Sequence, residues 1–487
     1  LTVKTDLKTY YNLIDGSWIP SSDEKVKEIT NPADAVQVVG RVPSSTIENV
    51  NQAVQAAKKA LVTWREISPM KRGEFLRKAA DILESRADDI ARTLTLEMGK
   101  TLKDAKGETL RAVDVLRYFA AEGTRELGSV IPSSQQGVML YTKRVPIGVV
   151  GLITPWNFPI AIPAWKTAPA LVYGNTVVLK AASETSITAI KFVECLKDAG
   201  IPAGVINIVN GSGSVIGNAL CDHPDVNAIS FTGSNEVGNI ISEKTNKRGA
   251  KCQLEMGGKN PVIVTENADL DLAAELTVNG SMNSTGQKCT ATSRAIVVSS
   301  VYDEFKYKVL EKVNAITVGN GLEDNFMGPI VSEKQLNHVL TMIEKGKEEG
   351  ASLIAGGKRI NDAKHENGYF IEPTVFEKVN NQMTIAQEEI FGPVLALIKT
   401  DSLEEAVAIA NDVKYGLSSS LFTKDLKEAF HFVDKIEAGM VRVNGESTGV
   451  EYQAPFGGMK ASSSHSREQG KAAMEFFTSI KTITINP

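Results

Sequence analysis

The chain has 487 residues, 42% apolar and 23% charged, an ordinary globular composition on a length that implies two or three domains. Its 53 basic and 58 acidic residues leave a net charge of −5, so it lacks the basic footprint that nucleic-acid binding requires. Four cysteines (195, 221, 252, 289) without a CxxC pair, and five histidines (223, 338, 365, 431, 465) without metal-ligand spacing, predict reduced thiols in a cytoplasmic protein and no metal site.

The opening Leu1–Tyr11 has no apolar h-region, which argues against a secretory signal, and it begins without Met, as if a few residues preceded it. A capping-box sequence, Ser45-Thr46-Ile47-Glu48, starts an amphipathic helix with Ile47, Val50, Val54, Ala57, Leu61 and Trp64 on one face. Phe75–Leu94 repeats the period through Leu76, Ala79, Leu83, Ala87 and Ile90. The first hundred residues therefore read as largely helical after a short β-like start. The uncharged run Pro146–Trp165 has the length of a membrane span, but Pro146, Pro155, Pro159 and Pro163 break it into a buried strand and a specialised loop.

From Val149 short apolar runs alternate with helical stretches. Strands are expected at Val149–Ile153, Thr176–Lys180, Val205–Val209 and Ala228–Phe231, with helices near Ile160–Val172 and Thr185–Asp198. This predicts a mostly parallel sheet covered on both faces, with a nucleotide at the carboxyl ends of its strands. A second alternation from Pro261 to about Asn444 predicts a second α/β domain. Its strands are Val262–Val264, Ala295–Val298, Val394–Ile398, Ser418–Phe422 and Val441–Val443, with helices at Leu403–Asn411 and Leu426–Ile436. Ile480–Ile485 alternates as an edge strand with no partner in its own segment, so it is expected to pack across a domain or subunit boundary.

Three stretches carry chemistry. In Gly286-Gln287-Lys288-Cys289-Thr290 a small-residue turn presents a thiol, and Lys288 beside it would favour thiolate. A lone cysteine is more often a buried small hydrophobe; here the neighbours favour a nucleophile. In Leu254-Glu255-Met256-Gly257-Gly258-Lys259 a carboxylate ends an apolar strand, where burial would raise its pKa and suit it to act as a base. A surface Glu before a turn is the blander alternative. In Thr154-Pro155-Trp156-Asn157-Phe158-Pro159 two prolines fix a loop that offers one amide to an oxyanion, although Trp156 and Phe158 also suit a structural plug.

Gly211-Ser212-Gly213-Ser214-Val215-Ile216-Gly217 follows a strand but misses the dinucleotide fingerprint by one residue. Phe231-Thr232-Gly233-Ser234 ends a strand before a helix, where hydroxyls and a helix N-terminus could hold a pyrophosphate. Lys180 ends its strand where a ribose or phosphate would lie. No GxSxG elbow or P-loop is present.

In order along the chain, these motifs, with Glu389-Ile390-Phe391-Gly392-Pro393 and Pro455-Phe456-Gly457-Gly458, resemble the aldehyde dehydrogenase superfamily over nearly the whole length. The resemblance implies an α/β fold: a Rossmann-like dinucleotide domain (1–117 and 141–250), an α/β catalytic domain (251–446), and a small β oligomerisation element (118–140 and 470–487). It implies Cys289 as nucleophile, Asn157 as oxyanion donor, Glu255 as activator of the hydrolytic water, and Lys166 as a helix lysine near the centre. NAD or NADP would lie against Ile153, Pro155, Trp156, Lys180 and Ser183, then Gly213, Gly217, Thr232, Gly233 and Ser234, with Glu389 and Phe391 at the nicotinamide ribose and ring.

An aldehyde would thus pass through a thiohemiacetal and a thioester to a carboxylate, in a homodimer or homotetramer with no nucleic-acid or membrane partner. Ser183 stands where strongly NAD-preferring members carry Glu, which predicts acceptance of NADP. Ser462-Ser463-Ser464-His465-Ser466-Arg467-Glu468 departs from the usual glycine before Arg-Glu and, with Gly286–Arg294, resembles the branch acting on 2-oxoglutarate semialdehyde. Succinic semialdehyde is the close rival, disfavoured because Trp165 replaces a carboxylate-binding Arg; a broad-range aldehyde dehydrogenase is a further alternative. CoA acylation is disfavoured by the presence of Glu255, and a non-catalytic binding protein by the complete set Cys289, Glu255 and Asn157.

Overall fold

A computed structural model describes residues 7–487; the first six residues of the opening segment lie outside it. The predicted parallel sheet is present with seven strands. Lys251–Glu255, Ala228–Thr232, Val149–Ile153, Thr176–Lys180 and Ile206–Ile208 run parallel, and the hairpin Asn12–Ile14 and Ser17–Ile19 completes the edge antiparallel. The strands Val149–Ile153, Thr176–Lys180 and Ala228–Thr232 are buried at every position, as expected of strands covered on both faces. From Val149–Ile153 the chain winds outward to Ile206–Ile208 and then returns to add Ala228–Thr232 on the other side. The loops after Ile153 and Thr232 therefore flank the point where strand order reverses, the crevice in which α/β sheets bind ligands.

The second sheet also has seven strands, in the order Ser352–Ala355, Thr374–Glu377, Val394–Thr400, Thr292–Val298, Asn260–Val264, Ser418–Phe422 and Met440–Val443. All pair parallel except Ser352–Ala355. The first sheet extends further than the expected boundary at residue 250, because Lys251–Glu255 pairs with Ala228–Thr232. Only Met256–Lys259 separates that strand from Asn260–Val264, so Glu255 ends one sheet immediately before the chain enters the other.

Helix Ile47–Trp64 is capped by Thr46 with Asn49 as the reciprocal partner, rather than by the Ser45–Glu48 box. Ile47 is exposed, whereas Val50, Val54, Ala57 and Trp64 are buried. The Phe75–Leu94 pattern spans two helices, Pro69–Ser85 and Ala87–Met98, interrupted at Arg86. The β start is longer than the sequence pattern indicates, with four strands before Pro43. Residues 118–122, assigned to the small β element, close helix Leu102–Glu122 instead. The tail strand Thr478–Ile485 finds its partner within this chain: it pairs antiparallel with Met139–Pro146, which also carries Val130–Ile131. Among the described residues no helix is long and apolar enough to cross a membrane.

Candidate active site

Cys289 lies at the junction of two cavities. The outer one, about 270 Å³, is lined by Pro155, Trp156, Asn157, Thr232, Gly233, Ser234, Glu389 and Phe391 among others; the inner one, about 140 Å³, reaches Glu255, Trp165 and Phe456. The turn before the cysteine is strained, with Ser284, Thr285 and Gly286 all at positive φ (54°, 59° and 65°). A Cβ on Gly286 would collide with the Gly392 carbonyl, so the close approach that needs this glycine is to protein rather than to a ligand. Asn260 Nδ2 donates to the Cys289 and Ala291 carbonyls at 2.8 and 2.9 Å, tying the cysteine to the link between the sheets.

The cysteine environment differs from expectation. Burial, then Glu389 and Glu255, push the thiol up to about 12. Lys288 does not outweigh them: burial lowers its own pKa to about 8, against Glu446, Asp104 and Cys289 itself, which raise it. A resting thiol, not thiolate, follows, and its proton needs an acceptor.

Asn157 is buried, and its Nδ2 donates to the Gln287 carbonyl at 3.0 Å, which fixes the amide orientation beside the cysteine turn. Lys100 holds the same loop from behind: Nζ donates to the Asn157 carbonyl and to Glu108, both at 2.7 Å. Glu108 in turn accepts from the N–H groups of Ile160 and Ala161, at the start of helix Ala161–Val172.

Glu255 is 1% exposed. Burial is the main cause that raises its carboxyl pKa, with Glu468 adding to it; Ser463, Lys166 and Arg467 act in the opposite sense. Ser463 Oγ donates to Oε2 while itself accepting from the Gly458 N–H, and Oε1 has no protein partner. Lys166 is buried in an ion pair with Glu468 and also donates to Ser230 Oγ at 2.8 Å, while Trp165 Nε1 donates to Glu468 Oε2 at 2.8 Å. Glu468 and Ser463 are assigned no role in the sequence reading. Their local signal is the polar run on either side of Arg467, and the partners that tie them to the centre, Glu255 and Lys166, lie more than two hundred residues away.

Glu389 accepts from the Gly258 N–H at 3.0 Å, and a side chain on Gly257 would collide with it. Burial raises its carboxyl pKa to about 7. Phe391 stands edge-to-face against Trp156, with centroids 5.3 Å apart. It adopts a positive φ of 56°, held by Gln335 Nε2 on its carbonyl at 3.0 Å. Thr232 Oγ1 is buried without a partner, and Ser234 caps helix Asn235–Lys247. An orphaned hydroxyl, a helix N-terminus and a carboxylate around one cleft fit a pyridine dinucleotide.

Ile153, Lys180, Ser183, Gly213 and Gly217 do not line this cavity. Lys180 ends its strand without an ion pair among the described residues, its pKa lowered to about 8 by burial. Ser183 Oγ donates to the Gly211 carbonyl at 3.1 Å. Gly213 and Gly217 fall in a π-helical turn; a Cβ on Gly213 would meet nothing, and one on Gly217 only Ile153 at 3.9 Å. No neighbouring protein atom requires glycine at either position.

Known proteins give the same arrangement a lineage. The profile of the "Aldehyde dehydrogenase family" matches residues 18–483. The alpha-ketoglutaric semialdehyde dehydrogenase of Bacillus subtilis is 56% identical, with 100% of each chain covered. The 2,5-dioxopentanoate dehydrogenase of Saccharolobus solfataricus is 43% identical over 98% of this chain and 99% of its own. A betaine aldehyde dehydrogenase of Staphylococcus aureus, solved in complex with NAD+, superposes with a TM-score of 0.96 at 35% identity, covering 98% of this chain and 94% of that one. With a matching profile, full-length relatives and a superposable fold, this chain belongs to the aldehyde dehydrogenase family.

Proposed function

We propose that the chain oxidises 2-oxoglutarate semialdehyde (2,5-dioxopentanoate) to 2-oxoglutarate with NAD or NADP, through a thiohemiacetal and a thioester on Cys289. The observation that carries the reading is the position of Cys289 between an outer cleft that holds Asn157, Thr232, Ser234 and Glu389 and a mainly apolar inner cavity. A cofactor and an aldehyde can thus reach one sulfur from two sides. When bound in the outer cleft, an oxidised nicotinamide accepts the aldehyde hydrogen as hydride.

The remaining work belongs to this chain. Sγ of Cys289 bonds to the aldehyde carbon as its thiol proton leaves, and Glu255 is the buried carboxylate at hand to take it. The developing oxyanion is met by the amide of Asn157, whose second N–H is free of protein partners. Glu255 releases the thiol proton to solvent once the thioester has formed; its Oε1, without a protein partner, then takes a proton from water as the water attacks the thioester and returns it to the departing sulfur. A base in that place serves hydrolysis and has no part in transfer to CoA.

Substrate choice rests on the full-length relatives named for this semialdehyde and on Trp165, whose indole N–H is already engaged by Glu468. Use of NADP rests on Ser183, which places no carboxylate near a 2′-phosphate. Glu184, one residue on, acts on Lys180 and raises its pKa, so Lys180 is not an unopposed cation for a 2′-phosphate and use of NAD is proposed alongside NADP. Four free thiols suit a cytoplasmic protein, and the exposed three-stranded sheet suits a homo-oligomer. The test is formation of reduced cofactor from 2-oxoglutarate semialdehyde, succinic semialdehyde and pentanal, each with NAD and NADP. The highest kcat/KM is expected for the first, with both cofactors used; preference for pentanal would overturn the substrate assignment.

A further inference from the structure

The inner cavity beside Cys289 is walled by Phe158, Ile162, Trp165 and Phe456, yet two polar groups on it are unexplained by the chemistry above. The first is Arg111, on helix Leu102–Glu122, the only basic residue lining this cavity. Its guanidinium is anchored by a hydrogen bond from Nη2 to the Val450 carbonyl and by the Tyr452 ring, 5.4 Å from its centroid. Nε and Nη1 have no partner among the described residues, and no carboxylate pairs with the side chain there. An anchored fork with spare donors is suited to a carboxylate.

The second group is Gln469. It is 2% exposed, and its Nε2 is buried without a hydrogen bond on the same cavity. Its backbone lies at φ 59°, ψ 173°, a region otherwise nearly reserved for glycine. The neighbours impose this conformation: Glu468 and Phe456 exchange backbone hydrogen bonds at 2.7 and 2.8 Å, and the Gly470 N–H donates to the Tyr452 carbonyl at 3.1 Å. Both a strained backbone and an orphaned buried amide cost free energy, and such costs persist where a ligand uses them.

The carboxylates on the cavity do not cancel this arrangement. Glu108 is spent on Lys100 and on two backbone N–H groups. Glu255 is biased towards its neutral form by burial. The cavity thus presents one uncompensated positive charge and one amide donor, at a site whose reactive end is Cys289.

We infer that Arg111 and Gln469 form the recognition subsite for the 2-oxo-acid end of the substrate, Arg111 taking the carboxylate and Gln469 donating to the 2-oxo oxygen. The two methylenes between that end and the aldehyde lie against the apolar wall. This inference rests on the proposed substrate. It also supplies the basic group that Trp165 does not provide.

The test compares 2,5-dioxopentanoate, 5-oxopentanoate (same carboxylate, no 2-oxo group) and pentanal (neither) on the wild type and on Arg111→Met, Arg111→Lys and Gln469→Leu. Arg111→Met is expected to lower kcat/KM about 10²-fold on both carboxylated substrates, mainly through KM, and less than tenfold on pentanal. Gln469→Leu is expected to lower it about tenfold on 2,5-dioxopentanoate, closing the gap to 5-oxopentanoate. Parallel losses on all three substrates, or retained discrimination in both variants, would overturn the subsite. If Arg111→Met does not fold, Arg111→Lys decides, with a selective loss on the carboxylated pair supporting the subsite and a parallel loss refuting it. A wild type that prefers pentanal would overturn the proposed substrate instead, so the two failures are separable.

Discussion

Asn157 has two amide hydrogens and spends one on Gln287. The other is the donor available to an oxyanion, so Asn157→Ala is expected to lower kcat by about 10²–10³-fold. The melting transition should stay close to that of the wild type, because the loop is also held through the Asn157 carbonyl by Lys100. A variant retaining more than about a tenth of wild-type kcat would remove Asn157 from the oxyanion site. Glu255 acts as a base only when ionised, and burial has moved that ionisation upward, so kcat/KM should rise with pH along a limb above the ordinary carboxylate range. Ser463 donates to the ionised form and lowers this pKa; Ser463→Ala therefore shifts the limb to higher pH. An unmoved limb, or one moved downward, would show that Glu255 does not set it. The residue types around the cysteine were legible in the motifs, because glycine pairs and proline-flanked amides mark backbone positions with few solutions. The state of the thiol was not, since Lys288 adjoins it in sequence while Glu389 and Glu255 act on it in space.

Two helices packed on the first sheet, Ala161–Val172 and Ser186–Asp198, begin without a side-chain cap of their own, at Ile160 and Thr185. Buried glutamates from the helical layer take over that role. Glu108 accepts from the first two N–H groups of one helix. Glu97 accepts from the N–H groups of Ile187 and Thr188 at 2.7 Å and from Thr188 Oγ1 at 2.6 Å in the other. Glu97→Ala leaves three buried donors unmet and is expected to cost about 2–4 kcal/mol in denaturant unfolding. Glu97→Gln, which keeps acceptors, should cost less. A loss below about 0.5 kcal/mol for the alanine variant would mean that water replaces the carboxylate. No window of sequence could reveal these caps, whose partners stand 52 and 90 residues away. The strands buried on both faces were readable for the converse reason, as uninterrupted apolar runs between glycine and proline signals. Ser352–Ala355 and Thr374–Glu377, whose apolar runs are only three and two residues long, were missed.

At the scale of the whole molecule, the sheet formed by Thr478–Ile485, Met139–Pro146 and Val130–Ile131 leaves Val130, Met139, Ile480 and Ile485 exposed, at 77%, 52%, 58% and 50%. By strand register Val130, Met139 and Ile485 share one face of that sheet and Ile480 lies on the other, and the shared apolar face suits the proposed homo-oligomer. For the proposed homo-oligomer, Val130→Asp combined with Ile485→Asp is expected to give monomers in analytical ultracentrifugation; an unchanged sedimentation coefficient would place the interface elsewhere. The alternation of Ile480–Ile485 announced a strand, but its partner lies more than 300 residues earlier, beyond any local pattern. The passage between the two large sheets falls at Gly257-Gly258 rather than at the expected boundary after residue 250, because the pairing of Lys251–Glu255 with Ala228–Thr232 is a long-range fact that no local pattern carries.

The central claim, a thioester on Cys289 hydrolysed with help from Glu255, is tested most directly by stopping the reaction between those steps. Glu255→Gln, mixed with oxidised cofactor and 2-oxoglutarate semialdehyde and quenched in acid, should release one equivalent of reduced cofactor per site, more slowly than the wild type because the thiol proton has lost its carboxylate acceptor, and then stop. Peptide mass spectrometry should then find the 2-oxoglutaryl group on Cys289. A burst with the acyl group on another residue, or steady turnover at the wild-type rate with no adduct, would contradict the account.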